Sequence, residues 1–245
     1  MLPCSPWALY PPFVSLFTAA GLWVVYFVAV CDNRIAPLGS NYRRNGSLYS
    51  PYISVAGNFP PASCIFSQVM NLAAFLGFIL AVLRYNQLKH LMIKPLNISS
   101  LVVFSFACFG MTLVGNFQIF TDKMTHNLGT YMTFGLGTLF CWLQSVITLK
   151  VNIKNEGRKV GIVRFLLSGI ITLCMILYFS LIAQRLHIQA SQSQWALAMF
   201  FLIFLSTFAI EFRHNRFNIM CTDNSGHPES GTDMFSEMSH CREQL

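Results

Sequence analysis

Six stretches of this 245-residue chain contain no Asp, Glu, Lys or Arg: Phe13–Val30, Cys64–Leu83, Pro95–Thr121, Asn127–Leu149, Phe165–Gln184 and Ile188–Ile210. Each comes near the roughly 20 residues a helix needs to cross a ~30 Å hydrocarbon core. Lipid offers open backbone no hydrogen-bond partner, and barrel strands alternate in polarity, so the windows predict helices. The expected fold is all-α, a polytopic six-transmembrane-helix bundle over residues 1–212, with spans near 13–30, 64–83, 98–116, 127–149, 165–184 and 193–211. Composition agrees, with 54% hydrophobic and only 10% charged residues, against about 25% charged in globular domains.

None of the 16 Lys and Arg falls inside those spans, so every one of them reports on a side of the membrane. The connections after spans one, three and five hold 5: Arg34, Arg43, Arg44, Lys123 and Arg185. The connections after spans two and four, with the tail, hold 11, from Arg84 to Arg242. The positive-inside bias therefore predicts both termini in the cytoplasm. "MLPCSPWALYPPF" has no basic residue, and the apolar run continues past Ala19, Ala20 and Gly21. This predicts a retained first helix, not a cleaved signal.

Loop 31–63 is then exoplasmic and carries a glycosylation sequon at Asn45. A second sequon at Asn97 lies at the cytoplasmic mouth of span three and should stay bare. Residues 213–245 are rich in Ser, Asp and Glu with little apolar periodicity, and are expected to be a disordered cytoplasmic tail. Among the 8 cysteines, Cys108, Cys141 and Cys174 fall within spans, and Cys4, Cys221 and Cys241 face the reducing side. Cys31 and Cys64 both lie on the oxidising side, at the two ends of the first loop, and are the candidate disulfide, either bridged or free. No Cys/His spacing suits zinc, so no metal and no cofactor are expected.

The junction "PYISVAGNFPPASCIFSQVMN" reads as a rigid helix start. Gly57 permits a turn, Asn58 can cap, and Pro60 and Pro61 suit a first turn whose amides lack acceptors. Gln68 and Asn71, three apart, share a helix face. A buried amide is costly unless bonded, so that face should turn into the bundle. Gln144 lies too deep to meet them, at about 1.5 Å per residue. The expected partners are Asn116 or Gln118. The cluster reads as interhelical glue or as the wall of a polar permeation path.

Small residues recur every four positions in span four, at Thr125, Gly129, Thr133, Gly137, Cys141 and Ser145. This ridge suits close helix packing, and its occupant is an internal helix, a second subunit or a lipid tail. "KVNIKNEGRKVGIVR" sets Lys150, Lys154, Arg158 and Lys159 beside the inner leaflet. They either hold anionic lipid headgroups or only enforce topology. No charge lies in the middle of a span, as a proton relay or ion-coupled transporter would require. Glu211, beside Arg213 and His214, reads as a paired interfacial residue. No catalytic motif is present, so an enzyme is not expected, nor is a nucleic-acid partner.

Several stretches, "PYISVAGNFPPASCIFSQVMNLAAF", "GMTLVGNFQ", "GTLFCWLQ", "LKVNIKNEGRKVGI" and "FAIEFRH", together resemble the transmembrane protein 150 family. That family sits in the wider group of damage-regulated autophagy modulators, Frag-type and fungal Sfk-type proteins. The resemblance runs from about Phe13 to His214, and the "VNIKNEGR" loop is most similar to the tentonin branch, the C member. It implies a plasma-membrane and endolysosomal protein that forms or modulates a mechanosensitive cation channel, alone, as a homo-oligomer or with another channel. Sister branches imply instead a non-conducting adaptor in phosphoinositide kinase localisation or autophagy. Several sister branches have a cysteine just before the glycine of "GNFPPASC", where this chain has Ala56. The resemblance therefore leaves Cys64 to pair with Cys31 or stay free.

Overall fold

The computed structural model describes residues 5–40, 48–91, 94–151 and 157–213. Six helical segments are long and apolar enough to cross a membrane: Pro6–Cys31, Ala62–Leu88, Lys94–Asn116, Lys123–Val151, Gly157–Ala183 and His187–Phe212. The first is a 3-10 turn, Pro6–Leu9, running into α1, Tyr10–Cys31. Then come the short α2, Ile53–Ala56, and the spans α3, Ala62–Leu88, and α4, Lys94–Asn116. The fourth span is composite, with α5, Lys123–Tyr131, a π turn, Met132–Leu136, and α6, Gly137–Val151. The fifth is α7, Gly157–Ala183, and the sixth is α8, His187–Ser206, continued by α9, Ala209–Phe212.

Each span packs on its neighbour in sequence, and α8 returns to α1, so the six close into a ring. Six passes bring the first and last of the described residues to one face, where the Ser5 N–H donates to the Arg213 carbonyl at 3.2 Å. We call this the termini face and the opposite one the loop face. Two buried clusters fill the ring. One, about Phe104, Phe140, Phe204 and Phe208, lies toward the termini face, and the other, about Tyr26, Phe66 and Trp195, lies toward the loop face.

The helix starts follow the prolines and one carboxylate. Pro11 opens α1. Pro61 stands at the N-cap of α3, and Pro95 lies in the first turn of α4, where a missing N–H costs nothing. Asp122 caps α5 by accepting from the Met124 and Thr125 N–H groups. One expectation at the 57–61 junction is corrected. Asn58 caps no helix, since its Oδ1 accepts from the Phe120 N–H at 3.1 Å and so holds the loop after α4. Gly57 lies in a turn as expected, with an ordinary negative φ. Its value is space, because a Cβ there would overlap the Phe66 ring.

The first loop is tied down at several points. The Ala36 N–H donates to the Tyr49 carbonyl at 2.8 Å. The four residues of α2 are all buried, seated between α1 and α8. Gln194 accepts from the Ile53 N–H at 2.9 Å, and Trp195 donates to the Pro51 carbonyl at 3.0 Å. Cys31 and Cys64 are both exposed free thiols. Of the two alternatives left open for this pair, the structure has the free one.

Candidate functional site: a buried charge network at the termini face

The helices outrun their charge-free windows, and this changes the electrostatics of the bundle. Arg84 lies inside α3 and Arg164 inside α7, each almost completely buried, at 1% and 0% exposure. Glu211 is 6% exposed. The expectation that no cation enters a span is therefore corrected: α3 runs on to Leu88 past its window's end at Leu83, and α7 begins at Gly157, well before its window opens at Phe165. Glu211 is paired as expected, but its partners are Arg84 and Arg164.

The carboxylate bridges the two guanidinium groups. Oε1 accepts from Arg84 Nη2 at 2.8 Å, and Oε2 from Arg164 Nη2 at 2.5 Å. Uncharged groups take up other guanidinium N–H groups. Arg84 donates from Nε to Gln144 at 3.1 Å and from Nη1 to Gln87 at 2.6 Å. Arg164 donates from Nε to Thr207 at 2.9 Å and from Nη1 to Thr148. Gln144 in turn donates to Ser100 on α4 at 2.7 Å. The Phe208 ring lies beneath both cations, 4.1 Å from the Arg164 guanidinium carbon and 5.4 Å from that of Arg84.

Five of the six spans contribute to this network, which holds two cations and one anion. Buried charges require this saturation, because each loses several kcal/mol of hydration that only good partners restore. Arginine suits the task through its planar fork and weak hydration. Chemically, the network is a fixed cross-brace with one surplus positive charge.

The other residues singled out from sequence are dispersed. Asn71 and Asn116 exchange two amide bonds, at 2.8 and 3.2 Å, and Ser67 donates to the same Asn116 oxygen at 2.9 Å. Gln68 is exposed, and Gln118 is half-buried in the loop after α4. The expected partner of Gln68 is thus held by Asn71. This amide cluster lies on the outside of the α3–α4 pair, where it lines no central path. Gln144 belongs to the arginine network. Lys150, Arg158 and Lys159 are exposed at the termini face, while Lys154 and Asn45 lie outside the described residues, as does the tail from 214.

The small residues of span four split among three neighbours. The Gly129 backbone touches that of Gly110 on α4, where an added Cβ would lie 2.8 Å from the Gly110 carbonyl oxygen. Gly137 faces Phe201 of α8. Ser145 shares a hydrogen bond with Ser168 of α7 at 3.1 Å. Cys141 is fully buried in the core near the termini face. Steps of four residues rotate about 40° beyond a full turn of helix, and the π turn at 132–136 breaks the row, so one ridge cannot serve one partner.

A ring of six membrane-crossing helices, braced by buried charge at the termini face, defines a multi-pass integral membrane protein. The Frag1/DRAM/Sfk1/Cwh43P N-terminal domain matches residues 6–215. The chain is 33% identical over 221 residues to "Modulator of macroautophagy TMEM150B" of Danio rerio, covering 90% of this chain and 91% of that protein. It is 30% identical over 207 residues to the Homo sapiens protein of the same name, covering 84% and 85%. It is 29% identical over 230 residues to "Transmembrane protein 150A" of Xenopus laevis, covering 84% and 83%. No solved structure matches the chain. The chain belongs to the Frag1/DRAM/Sfk1/Cwh43P family, in its TMEM150 group.

Proposed function

We propose that this protein is a non-conducting membrane modulator of macroautophagy, with both termini in the cytoplasm. The observation that carries the reading is the similarity to a modulator of macroautophagy along about nine-tenths of both chains. The channel expected from the tentonin-like loop draws no support from those names. Geometry also weighs against it. A cation path through the ring would meet an aromatic floor and then a brace with a surplus positive charge, which repels cations. Asn71 and Asn116, which could have been glue or the wall of a polar path, bond to each other on the outside of the bundle.

In this reading the exposed Lys150, Arg158 and Lys159, with Lys154, rest on an anionic leaflet, each adding about 1 kcal/mol of attraction. The work done on autophagy passes through that face and the tail, not through catalysis. The test is autophagic flux in cells lacking the protein, measured with and without a block on lysosomal degradation. Flux should change and be restored by the wild-type chain. The quadruple neutralisation of those four cations should restore it poorly at equal surface abundance. Stretch-activated cation current from the purified protein in liposomes would overturn the reading, as would unchanged flux.

A further inference from the structure

On the outside of the bundle, α3 and α4 part to leave a groove of about 320 Å³ that is open to the bilayer. Its floor is made of two small buried residues, Ala74 and Cys108. Its walls are aromatic, with the exposed Phe75 and Phe78 on α3 and the exposed Phe109 on α4. From Asn71 to Phe78 on one helix, and from Ser105 to Thr112 on the other, the groove covers roughly 10 Å at 1.5 Å per residue. Ser105 and Thr112 donate their hydroxyl protons to the Leu101 and Phe109 carbonyls of their own helix, so they add little polarity to the wall. The result is a short slot with a smooth floor and flat aromatic sides.

One end of the slot is polar. Asn71 closes it toward the loop face, bonded there to Asn116, the last residue of α4. From Lys94 to Asn116, α4 covers roughly 33 Å at 1.5 Å per residue. Asn116 therefore stands at the loop-face edge of a ~30 Å hydrocarbon core. The amide pair at that level is not saturated, because each amide nitrogen can donate twice and each carbonyl oxygen can accept twice. Asn116 Oδ1 takes both of its bonds, from Ser67 and Asn71. Asn71 Nδ2 gives one bond and Asn71 Oδ1 takes one, both with Asn116. Among the described residues, Asn71 thus keeps one N–H and one carbonyl lone pair free at the mouth of an apolar slot. A neutral hydroxyl, a donor and an acceptor in one atom, can use either. None of the residues lining the slot is a Lys, Arg or His that would receive a phosphate or a carboxylate.

We propose that this slot binds a membrane sterol, its hydroxyl hydrogen-bonded to the Asn71 amide. The four fused rings lie on the Ala74–Cys108 floor between Phe75, Phe78 and Phe109. The alkyl tail passes beyond Phe78 and Ser105 toward the middle of the bilayer. A flexible acyl chain would lose rotamer freedom on being ordered in so short a slot, whereas fused rings have none to lose. A sterol also carries its hydroxyl at the edge of the hydrocarbon, the level at which Asn71 waits, so binding needs no vertical displacement. The source is the leaflet on the loop face. This inference does not depend on the macroautophagy reading.

The full chain is purified in detergent–lipid micelles and irradiated with cholestanol bearing a diazirine on its ring system. Adducts should fall on Phe75, Phe78 and Phe109 and be competed by cholesterol. The epimer of cholesterol with an inverted hydroxyl should compete about fivefold less well, the worth of one hydrogen bond near 1 kcal/mol. Phosphatidylcholine at equal mole fraction should not compete. Asn71→Leu should weaken competition by cholesterol to the level of the epimer. Thr112→Trp, which fills the slot from its wall, should abolish slot adducts while those on the outward-facing Phe27, Leu128 and Leu173 persist. The epimer comparison uses the unaltered chain, so it decides the matter even if Asn71→Leu does not fold. Equal competition by cholesterol and its epimer overturns the proposal, because the polar anchor would be absent. So does equal competition by phosphatidylcholine, or labelling spread evenly over all outward-facing residues.

Discussion

Glu211 Oε2 lies 2.5 Å from Nη2 of Arg164, although 47 residues separate them in the chain. The same carboxylate also holds Arg84, 127 residues away. One anion thus ties the second, fifth and sixth spans together, and the sum of the three charges is positive. That imbalance gives an asymmetric prediction. Glu211→Gln leaves two buried cations facing each other and should cost about 3–5 kcal/mol. Arg84→Met leaves a neutral Arg164–Glu211 pair and should cost less. Thermal unfolding in detergent checks the order, and an equal or smaller loss for Glu211→Gln contradicts the brace.

The contact between Gly110 and Gly129 predicts a position-specific steric effect. Gly129→Ala pushes a methyl group against the Gly110 carbonyl, so the fourth span must move off α4, at a cost of about 1–3 kcal/mol. Gly135, six residues further on, has open space around it, and Gly135→Ala should leave stability unchanged. Paired melting curves would distinguish the two variants.

The amide cluster should prove modest. Asn116→Leu removes bonds to Asn71 and Ser67, each worth ~0.6 kcal/mol in a membrane setting. Gln68→Leu, on an outward-facing position, should stay within about 0.5 kcal/mol of wild type. A loss of several kcal/mol at Gln68 would mean that its side chain turns inward.

Asp122 makes the start of α5 sensitive to acid. The Thr125 hydroxyl, followed by the Thr125 N–H, holds its carboxyl below the ordinary value of 3.8. A lowered folded value means the cap is at full strength above 3.8 and is lost as pH falls through the folded value. Protection of the Met124 and Thr125 amides, relative to intrinsic exchange at the same pH, should therefore fall at strongly acidic pH in wild type and be low already at neutral pH in Asp122→Ala. Equal exchange in the two proteins at neutral pH would remove the cap from the account.

The charge-free windows exposed the six helices because a missing charge over some twenty residues has few explanations outside a bilayer. They hid the brace for a related reason. Arg84 follows the second window directly, Arg164 precedes the fifth, and Glu211 follows the sixth. Each charge taken alone looks like a boundary residue, and a boundary residue is ordinarily wet. The available signal was their coincidence, with opposite charges abutting three windows at one face. Gln144 carried a second hint, since its depth placed it with Arg84 and away from Asn71. The closing of the ring had no linear signature, because it depends on which face each helix turns inward and on a π turn no spacing announces.

The brace also orders events during synthesis. Arg84 and Arg164 are both synthesised before Glu211, so the growing protein carries two unneutralised guanidinium groups until its last helix is complete. A premature stop anywhere upstream of codon 211 strands them, and such truncations should be recognised and degraded early in the secretory pathway.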